Sequence, residues 1–407
     1  MAKRSRSRAE SNGDGVLFAD AQPSVVLAPA DDLSGSVVSF GDVDGRGDPY
    51  ARFYAALRSI REEFHRIGRF DDANAKLDEL CKLLVLKVMD ARHPVSGYAS
   101  RLSAGYLRAL AARSHGSENR IAAAMHDVYT ELAQRFPAEF AAFGSEHGLN
   151  MQRDDDEFAE ALLPLLEALP QADAANGHRW SFDGLNEAFG HFIQDSFRNR
   201  KEDAQYMTPP EVVSTVVEIA LQDVVGDLKG QLPDEPILVA DPTCGVGSFL
   251  AAAYRHALHT PLEVGTLAEH LALFGQDKVD RMVRLANVNL RIFAGMAASI
   301  RQGNSVMPAS SLDDIQGNVD LIVTNPPFGA TFESHDLLRK STVDQFPAMH
   351  ALARAGTLPK MLDSEYVLLD RELALLKPGG RILMVVPDHV VSGSGFSEDF
   401  RLTLQRF

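Results

Sequence analysis

The sequence predicts an α/β protein in which an all-helical domain precedes a parallel sheet. In the first half, apolar residues recur at helical spacing from Tyr50 onward, and no segment between residues 50 and 200 alternates convincingly as a strand. After Arg200, short apolar runs alternate with helical stretches, a pattern typical of a parallel sheet covered by helices. The predicted strands are residues 237–240, 271–274, 320–324 and 381–386, with a further run at 299–306.

The chain of 407 residues divides into three predicted parts. Residues 1–48 are rich in Gly, Ser, Asp and Ala without sustained periodicity, and we expect a flexible leader. Residues 49–200 form the predicted helical domain, and residues 201–407 contain the predicted sheet. Helices are expected at 50–64, 69–92, 121–136, 158–169 and 185–197. The second of them carries an apolar stripe wide enough to indicate burial on more than one side.

Composition excludes several classes of protein. The 40 Lys and Arg residues against 56 Asp and Glu residues leave a formal charge of −16, which counts against a chain that grips nucleic acid unaided. The two cysteines, Cys81 and Cys244, are too few and too far apart for a disulfide scaffold or a thiolate zinc site, and no metal is expected. Because so few cysteines speak against a disulfide framework, a cytoplasmic location is the default. No apolar run approaches the roughly 20 residues of a membrane span.

A glycine-containing loop follows the first predicted strand, in the segment DPTCGVGSFL. Asp241 ends the strand, Gly245 and Gly247 would let the backbone approach a ligand, and Ser248 opens a helix whose N–H groups face the site. A tight turn without a ligand is the alternative. The loop lacks the Lys-Ser/Thr of a phosphate-binding loop and differs from G-x-G-x-x-G, so a pyrophosphate is not the expected ligand.

Polar residues also follow the next two runs. Asp277 ends the second strand, where a carboxylate can accept both hydroxyls of a ribose, although a surface Asp that caps the next helix is the competing interpretation. Asn304 stands at the corresponding place after the third run, where its amide could bond an adenine edge.

The fourth strand runs into the tetrapeptide Asn325-Pro326-Pro327-Phe328. Two prolines fix φ and withhold N–H groups, so the chain must leave the sheet there. The Asn325 side chain and the Pro326 carbonyl would then point into the crevice as two acceptors beside the Phe328 ring. This arrangement suits a planar amino group on a base or an amide, although a simple turn could use the same residues.

Upstream of the first strand, the segment QYMTPPEVV opens another helix. Thr208, the two prolines after it and Glu211 fit a capping box with proline at the first helical position. Tyr206 and the Thr208 hydroxyl could in addition fold over a cofactor.

These motifs, in this order, resemble the modification subunit of type I restriction–modification systems and its relatives, the γ-class adenine-N6 DNA methyltransferases. The segment 69–92 resembles the N-terminal helical domain of the same family, and the similarity extends over residues 50–407. It implies that residues 201–407 form a Rossmann-like, S-adenosylmethionine-dependent methyltransferase catalytic domain. Since the family continues with further strands and a C-terminal helical region beyond the position of residue 407, the resemblance implies one of three alternatives: a sheet completed by another polypeptide, a fragment, or a degenerate copy.

The resemblance also implies roles for residues. A target adenine would leave the DNA duplex, stack on Phe328 and donate its N6 hydrogens to Asn325 and the Pro326 carbonyl, with Pro327 completing the motif. Tyr206 and Thr208 would line the methionine end of the cofactor, and Asp277 would hold its ribose. Met207 replaces the usual aromatic residue, and Asn304 stands where an Asp is common. The implied cofactor-binding residues are Gln205, Tyr206, Met207, Thr208, Pro209, Asp241, Thr243, Gly245, Gly247, Ser248, Phe249, Asp277 and Asn304.

The implied partners are double-stranded DNA, a specificity subunit, and a restriction subunit or a chain that completes the sheet, because no target-recognition domain is visible. Two other functions remain open from the sequence. The chain could be a non-catalytic assembly subunit that retains the fold, or it could methylate another planar amine, such as a protein glutamine or an RNA base.

Overall fold

The computed structural model describes residues 49–66, 73–140, 143, 148–168, 208–229, 231–233, 235–293, 298–307 and 310–407. The predicted leader at 1–48, the predicted helix at 185–197 and the residues Gln205, Tyr206 and Met207 lie outside these ranges. The division between a helical domain and a sheet domain at residue 200 also lies outside them and stays a prediction.

The N-terminal part is helical, as predicted. Its helices are α1 (Pro49–Arg66), α2 (Ala73–Arg92), α3 (Ala104–His115), α4 (Ile121–Arg135), α5 (Pro137–Phe140) and α6 (Asp156–Ala168). Every residue of α2 from Glu79 to Asp90 is buried, which confirms the burial on several sides that its wide apolar stripe indicates. Helix α3 was not predicted.

Charged residues inside α2 are buried together with their partners. Lys82 lies 2.9 Å from Asp78 and donates to the Asn150 side chain at 2.8 Å. Asp90 accepts from the Ser100 hydroxyl at 2.6 Å and from the Arg101 backbone N–H. These partners offset the desolvation cost of burying Lys82 and Asp90.

The C-terminal part contains a five-stranded sheet in the order β3-β2-β1-β4-β7, with every neighbouring pair parallel. Its strands are β1 (Ile237–Asp241), β2 (Leu271–Asp277), β3 (Ala298–Gln302), β4 (Val319–Thr324) and β7 (Leu376–Met384). All four predicted strands are confirmed, and the further apolar run at 299–306 begins with β3, which ends at Gln302. The short strands β5 (Thr331–Glu333) and β6 (Met361–Asp363) form a separate antiparallel pair.

Helices cover the sheet and connect its strands. They are α7 (Pro210–Leu228), α8 (Ser248–Leu258), α9 (Asp280–Asn287), α10 (Ser334–Lys340), α11 (Pro347–Ala355), α12 (Ser364–Leu373), α13 (Asp388–Ser392) and α14 (Phe396–Leu404), with a π-helical turn at Val288–Phe293 and 3-10 turns at Leu267–His270 and Ser311–Ile315. No helix in the described ranges is both long and apolar enough to span a membrane.

The strand order places a switch point between β1 and β4. From β1 the chain proceeds to β2 and β3 on one side, and β4 and β7 lie on the other side. Ligands of open α/β sheets bind outside the carboxyl ends of the strands at such a point. The helical part supports this region directly, since its apolar core includes Val246 of the glycine loop and Met282, Leu285 and Val288 at and after α9.

Candidate functional site

The carboxyl ends of β1 and β4 are tied together by side chains. Asp241 Oδ1 accepts a hydrogen bond from Thr324 Oγ1 at 2.7 Å and another from the Thr243 backbone N–H at 3.1 Å. The Thr243 and Thr324 hydroxyl oxygens lie 2.9 Å apart. Since the Thr324 hydrogen goes to Asp241, Thr243 donates to Thr324, and the three residues fix the two strand ends at the switch point.

Asp241 is almost fully buried, and its environment changes its acidity. Burial raises the pKa of this carboxyl to about 7, against the opposing effect of the hydrogen bonds from Thr324 and Thr243. Burial likewise raises the pKa of the Cys244 thiol, assisted by the nearby carboxyls of Asp241 and Asp277. Cys244 is therefore a protonated packing residue in this loop.

The two glycines of the loop have different roles. Gly245 has φ +53°, and a Cβ at this position would meet nothing within 4 Å, so its backbone borders open space. Gly247 has φ +80°, and a Cβ there would lie 3.2 Å from Leu290 Cδ1 and 3.4 Å from Ala286 Cβ. Gly245 thus leaves room for a ligand, whereas Gly247 allows close packing of the loop against α9 and the following turn.

Helix α8 begins at Ser248, immediately after the loop. Its N-cap residue is Gly247, which has no side chain to satisfy the first N–H groups of the helix. Phe249 is 3% exposed and packs in the apolar core between the sheet and α7 and α8. Its side chain therefore does not line the crevice, and a contribution from Phe249 to a ligand is limited to its backbone.

Asp277 ends β2 and is buried, so it is not the surface cap that was the competing interpretation. Its Oδ2 accepts from the Gly245 N–H at 3.0 Å and its Oδ1 from the Val279 N–H at 2.8 Å, while the N-cap of α9 is Val279. The carboxylate thus joins the glycine loop to the end of β2. Asn304 is partly buried, and its Oδ1 accepts from the Val306 N–H at 3.2 Å, which closes a local turn.

The loop after β4 contains an unsatisfied buried acceptor. Asn325 Nδ2 donates to Thr208 Oγ1 at 2.8 Å, which sets the orientation of the amide. Asn325 Oδ1 is buried and has no hydrogen-bond partner among the described residues. Pro326 is buried, whereas Pro327 is exposed and Phe328 presents 42% of its surface. Buried acceptors are normally paired, so this oxygen is available to a donor outside the described residues.

The start of α7 corrects one prediction. Thr208 is not the N-cap of this helix and makes no capping box, because the cap residue is the exposed Pro209 and the first helical residue is Pro210. A residue that precedes proline disfavours helical angles, and Pro209 accordingly adopts φ −52° and ψ 138°. The helix therefore begins one residue later than the pattern suggests, and the Thr208 hydroxyl is free to bond Asn325.

Three residues near the site were missed by sequence reasoning. Thr324 links Asp241 to the loop that follows β4, as described above. Gln276 is fully buried and donates to Ser305 Oγ at 2.9 Å, which holds the segment around Asn304 against the end of β2. Ser364 donates to the Pro327 carbonyl at 2.9 Å. Thr324 and Gln276 directly precede the recognised motif residues Asn325 and Asp277, and this adjacency is the signal that could have identified them.

The geometry defines a class of site: a crevice at the switch point of a parallel sheet, with a glycine loop and two buried carboxyls on one side and an amide acceptor beside an exposed aromatic ring on the other. Residues 181–405, more than half of the chain, match the family of N-6 DNA methylases. The chain belongs to this family, as the order of the motifs predicted.

Individual relatives agree with this assignment. The type II methyltransferase M.MamI from Microbacterium ammoniaphilum is 26% identical over 188 residues, which are 45% of this chain and 49% of that protein. The methylase subunit of the type I restriction enzyme EcoEI from Escherichia coli is 34% identical over 163 residues, 39% of this chain and 29% of that subunit. The chain thus matches about half or less of the length of these relatives.

A solved structure shares the fold. The methyltransferase subunit of a type I restriction–modification system from Streptococcus thermophilus aligns with a TM-score of 0.57 at 15% identity, covering 88% of this chain and 78% of that chain. This similarity confirms the predicted fold class, a methyltransferase-type α/β sheet preceded by helices.

Proposed function

We propose that the chain is the methyl-transferring subunit of an adenine-N6 DNA methyltransferase that uses S-adenosylmethionine and works in a type I restriction–modification or related defence system. Its match to the N-6 DNA methylase family and its similarity to type I methylase subunits support this proposal. We propose adenine as the target base, S-adenosylmethionine as the cofactor, and DNA together with other subunits as the partners.

The observation that carries the proposal is the orientation of the Asn325 amide. Because Nδ2 is held by Thr208 Oγ1, Oδ1 is left as a buried acceptor with no partner among the described residues. An exocyclic amine of a base is a planar donor that would pair with this oxygen. The exposed Phe328 ring, three residues further along, offers a face on which such a base can stack.

Asn325 and the Pro326 carbonyl would hold the two hydrogens of the amine and orient its nitrogen. Two acceptors favour a nitrogen whose lone pair is less delocalised into the ring, which improves a poor nucleophile. Pro327 and Pro326 restrict the backbone, so that the acceptors are positioned before the substrate binds. Catalysis by such a site depends on positioning and electrostatic preorganisation.

The other side of the crevice fits the cofactor. A Cβ at Gly245 would enter open space, so a ligand can approach this backbone, and the carboxyls of Asp241 and Asp277 lie beside a loop that would receive a cationic molecule. S-adenosylmethionine supplies an electrophilic methyl group on a positively charged sulfur. The residues we assign to it in the described ranges are Thr208, Pro209, Asp241, Thr243, Gly245, Gly247, Ser248, Phe249, Asp277 and Asn304; Gln205, Tyr206 and Met207, outside those ranges, are assigned to it as well.

Double-stranded DNA, a specificity subunit and a restriction subunit are the proposed partners, with the cytoplasm as the place of action. The net charge of −16 argues that a partner supplies the basic surface for DNA. Strand β7 lies at an edge of the described sheet, and its apolar residues 382–386, counting the two that follow the strand, are only partly buried. Such an edge can accept a further strand, so we include a chain segment that completes the sheet.

Long-read sequencing of host DNA tests the proposal. The intact locus should produce N6-methyladenine at one defined motif, and deletion of the gene should remove this mark. Absence of the mark, with no effect of the deletion, would refute enzymatic function on DNA and favour a non-catalytic assembly subunit. A deletion that removed methylation of RNA bases or protein glutamine instead would refute the proposed substrate.

A further inference from the structure

A group of polar residues contacts the loop that carries Asn325 and Phe328, and the proposed function assigns no role to this group. It consists of Ser364 and Glu365, the first two residues of α12, and His389 in α13. Ser364 is 1% exposed and Glu365 is 3% exposed, whereas His389 is about half exposed.

Ser364 contacts the loop on both sides of Phe328. Its Oγ donates to the Pro327 carbonyl at 2.9 Å, and its backbone N–H donates to the Ala330 carbonyl at 2.8 Å. Pro326 and Pro327 have no N–H groups to anchor this segment themselves. The two bonds from Ser364 are therefore positioned to fix the loop relative to α12.

The Ser364 hydroxyl has one hydrogen but two acceptors within reach. Glu365 Oε2 lies 3.2 Å from Ser364 Oγ, in addition to the Pro327 carbonyl at 2.9 Å. The other carboxylate oxygen, Glu365 Oε1, lies 2.9 Å from His389 Nε2, an ion-pair distance when the imidazole is protonated. A positive charge beside Glu365 stabilises the carboxylate and makes it a weaker competitor for the Ser364 hydrogen.

We propose that Ser364 is a positioning residue that holds the Asn325–Phe328 loop in place through its hydrogen bond to the Pro327 carbonyl, a contact called the clamp below. His389 keeps the Ser364 hydrogen on this carbonyl by pairing with the Glu365 carboxylate. The expected effect on turnover rests on the proposed function. The effect on the loop itself does not, so the two can be measured separately.

The first experiment compares Ser364→Ala with Ser334→Ala. Ser334 is the matched control, because it is also a buried serine at a helix start and its hydroxyl donates to a backbone carbonyl, that of Lys360, at the opposite end of the β5–β6 pair from Ala330. Hydrogen exchange on the full chain should show the backbone amide of residue 364, which donates to the Ala330 carbonyl, exchanging about 10-fold faster in Ser364→Ala only, as expected for the loss of one buried hydrogen bond. Unchanged exchange in a folded Ser364→Ala variant would overturn the clamp.

The second readout is turnover by the complete methyltransferase complex. Ser364→Ala should lower kcat about 10-fold and leave the KM for S-adenosylmethionine within about 2-fold, because the loop holds the target amine and the glycine loop holds the cofactor. A change in KM alone would overturn the positioning role. If the wild-type complex transfers no methyl group, the proposed function fails, and the exchange measurement still decides the clamp.

The third experiment tests His389. His389→Ala should speed exchange of the same amide, that of residue 364, and adding Glu365→Gln should restore the wild-type rate, because a neutral amide side chain competes weakly for the Ser364 hydrogen. Failure of this rescue would overturn the role of the pair. Potential ligand atoms of Asp363, Glu365 and His389 lie within 4.8 Å of one another. If EDTA treatment of the wild-type protein sped up hydrogen exchange of the residue 364 amide, a bound cation would explain the order of the loop, and the clamp would likewise be overturned.

Discussion

The bond between Thr208 and Asn325 leads to a sharp prediction for Thr208→Val. Valine keeps the size of threonine but removes the acceptor that lies 2.8 Å from Asn325 Nδ2. Since Asn325 Oδ1 already has no partner among the described residues, the amide would lose the one contact that orients it. Leaving a buried donor unpaired costs about 1–3 kcal/mol. At about 1.4 kcal/mol for each factor of ten, kcat should fall roughly 5- to 150-fold.

The assay is methyl transfer by the complete complex at saturating S-adenosylmethionine, with calorimetry of cofactor binding alongside it. Thr208→Ser keeps the hydroxyl and should stay within about 3-fold of the wild-type kcat, since the acceptor is preserved. If Thr208 served mainly the methionine end of the cofactor, the valine variant would instead bind cofactor weakly and keep its kcat at saturation. That result would refute the role assigned to the Thr208–Asn325 bond.

Three further predictions concern the glycine loop, the aromatic ring and a buried acid. Gly245→Ala places a methyl group in the open space beside the loop, so calorimetry should show cofactor affinity about 10-fold weaker. The φ of +53° adds a backbone strain of about 1–2 kcal/mol, which should lower the stability of the variant. Unchanged cofactor affinity would contradict the assignment of Gly245 to the cofactor. Phe328→Ala should leave the Tm within about 2 °C, because the ring is 42% exposed, yet sharply lower kcat. Burial raises the pKa of Asp370 to about 7, so its contribution to stability is full below its unfolded pKa near 4 and is lost as the pH rises through 7. Asp370→Asn should therefore flatten part of the fall in Tm between pH 4 and 7, with Asp241, Glu79 and Glu372 keeping the remainder, and an unchanged slope would contradict this cause.

Sequence patterns predicted the sheet because each strand is a short apolar run bounded by turn residues. The end of β7 was placed two residues too late, because 385 and 386 continue the apolar run after Met384. The antiparallel pair of β5 and β6 was missed, since three-residue strands whose ends lie about 30 residues apart leave no periodicity to detect.

The site was predicted where a single motif carries the chemistry, as at Asp241, Gly245 and Asn325. Contacts between distant segments were not predictable in this way. Thr208 bonds Asn325 across 117 residues, and Ser364 bonds Pro327 across 37. Phe249 belongs to the glycine motif by position, but helix α8 turns its side chain into the core. Local sequence therefore identified which strand ends matter, whereas the pairing of their side chains depended on tertiary packing.

The role of Asn325 is best tested with Asn325→Ala in the complete complex, with S-adenosylmethionine binding and adenine methylation measured on the same preparation. We expect cofactor affinity within about 2-fold of wild type and a kcat at least about 100-fold lower, comparable to the loss of one preorganised electrostatic group in other enzymes. Full methylation by a folded Asn325→Ala complex would contradict the central claim that the unpaired Asn325 oxygen holds the target amine.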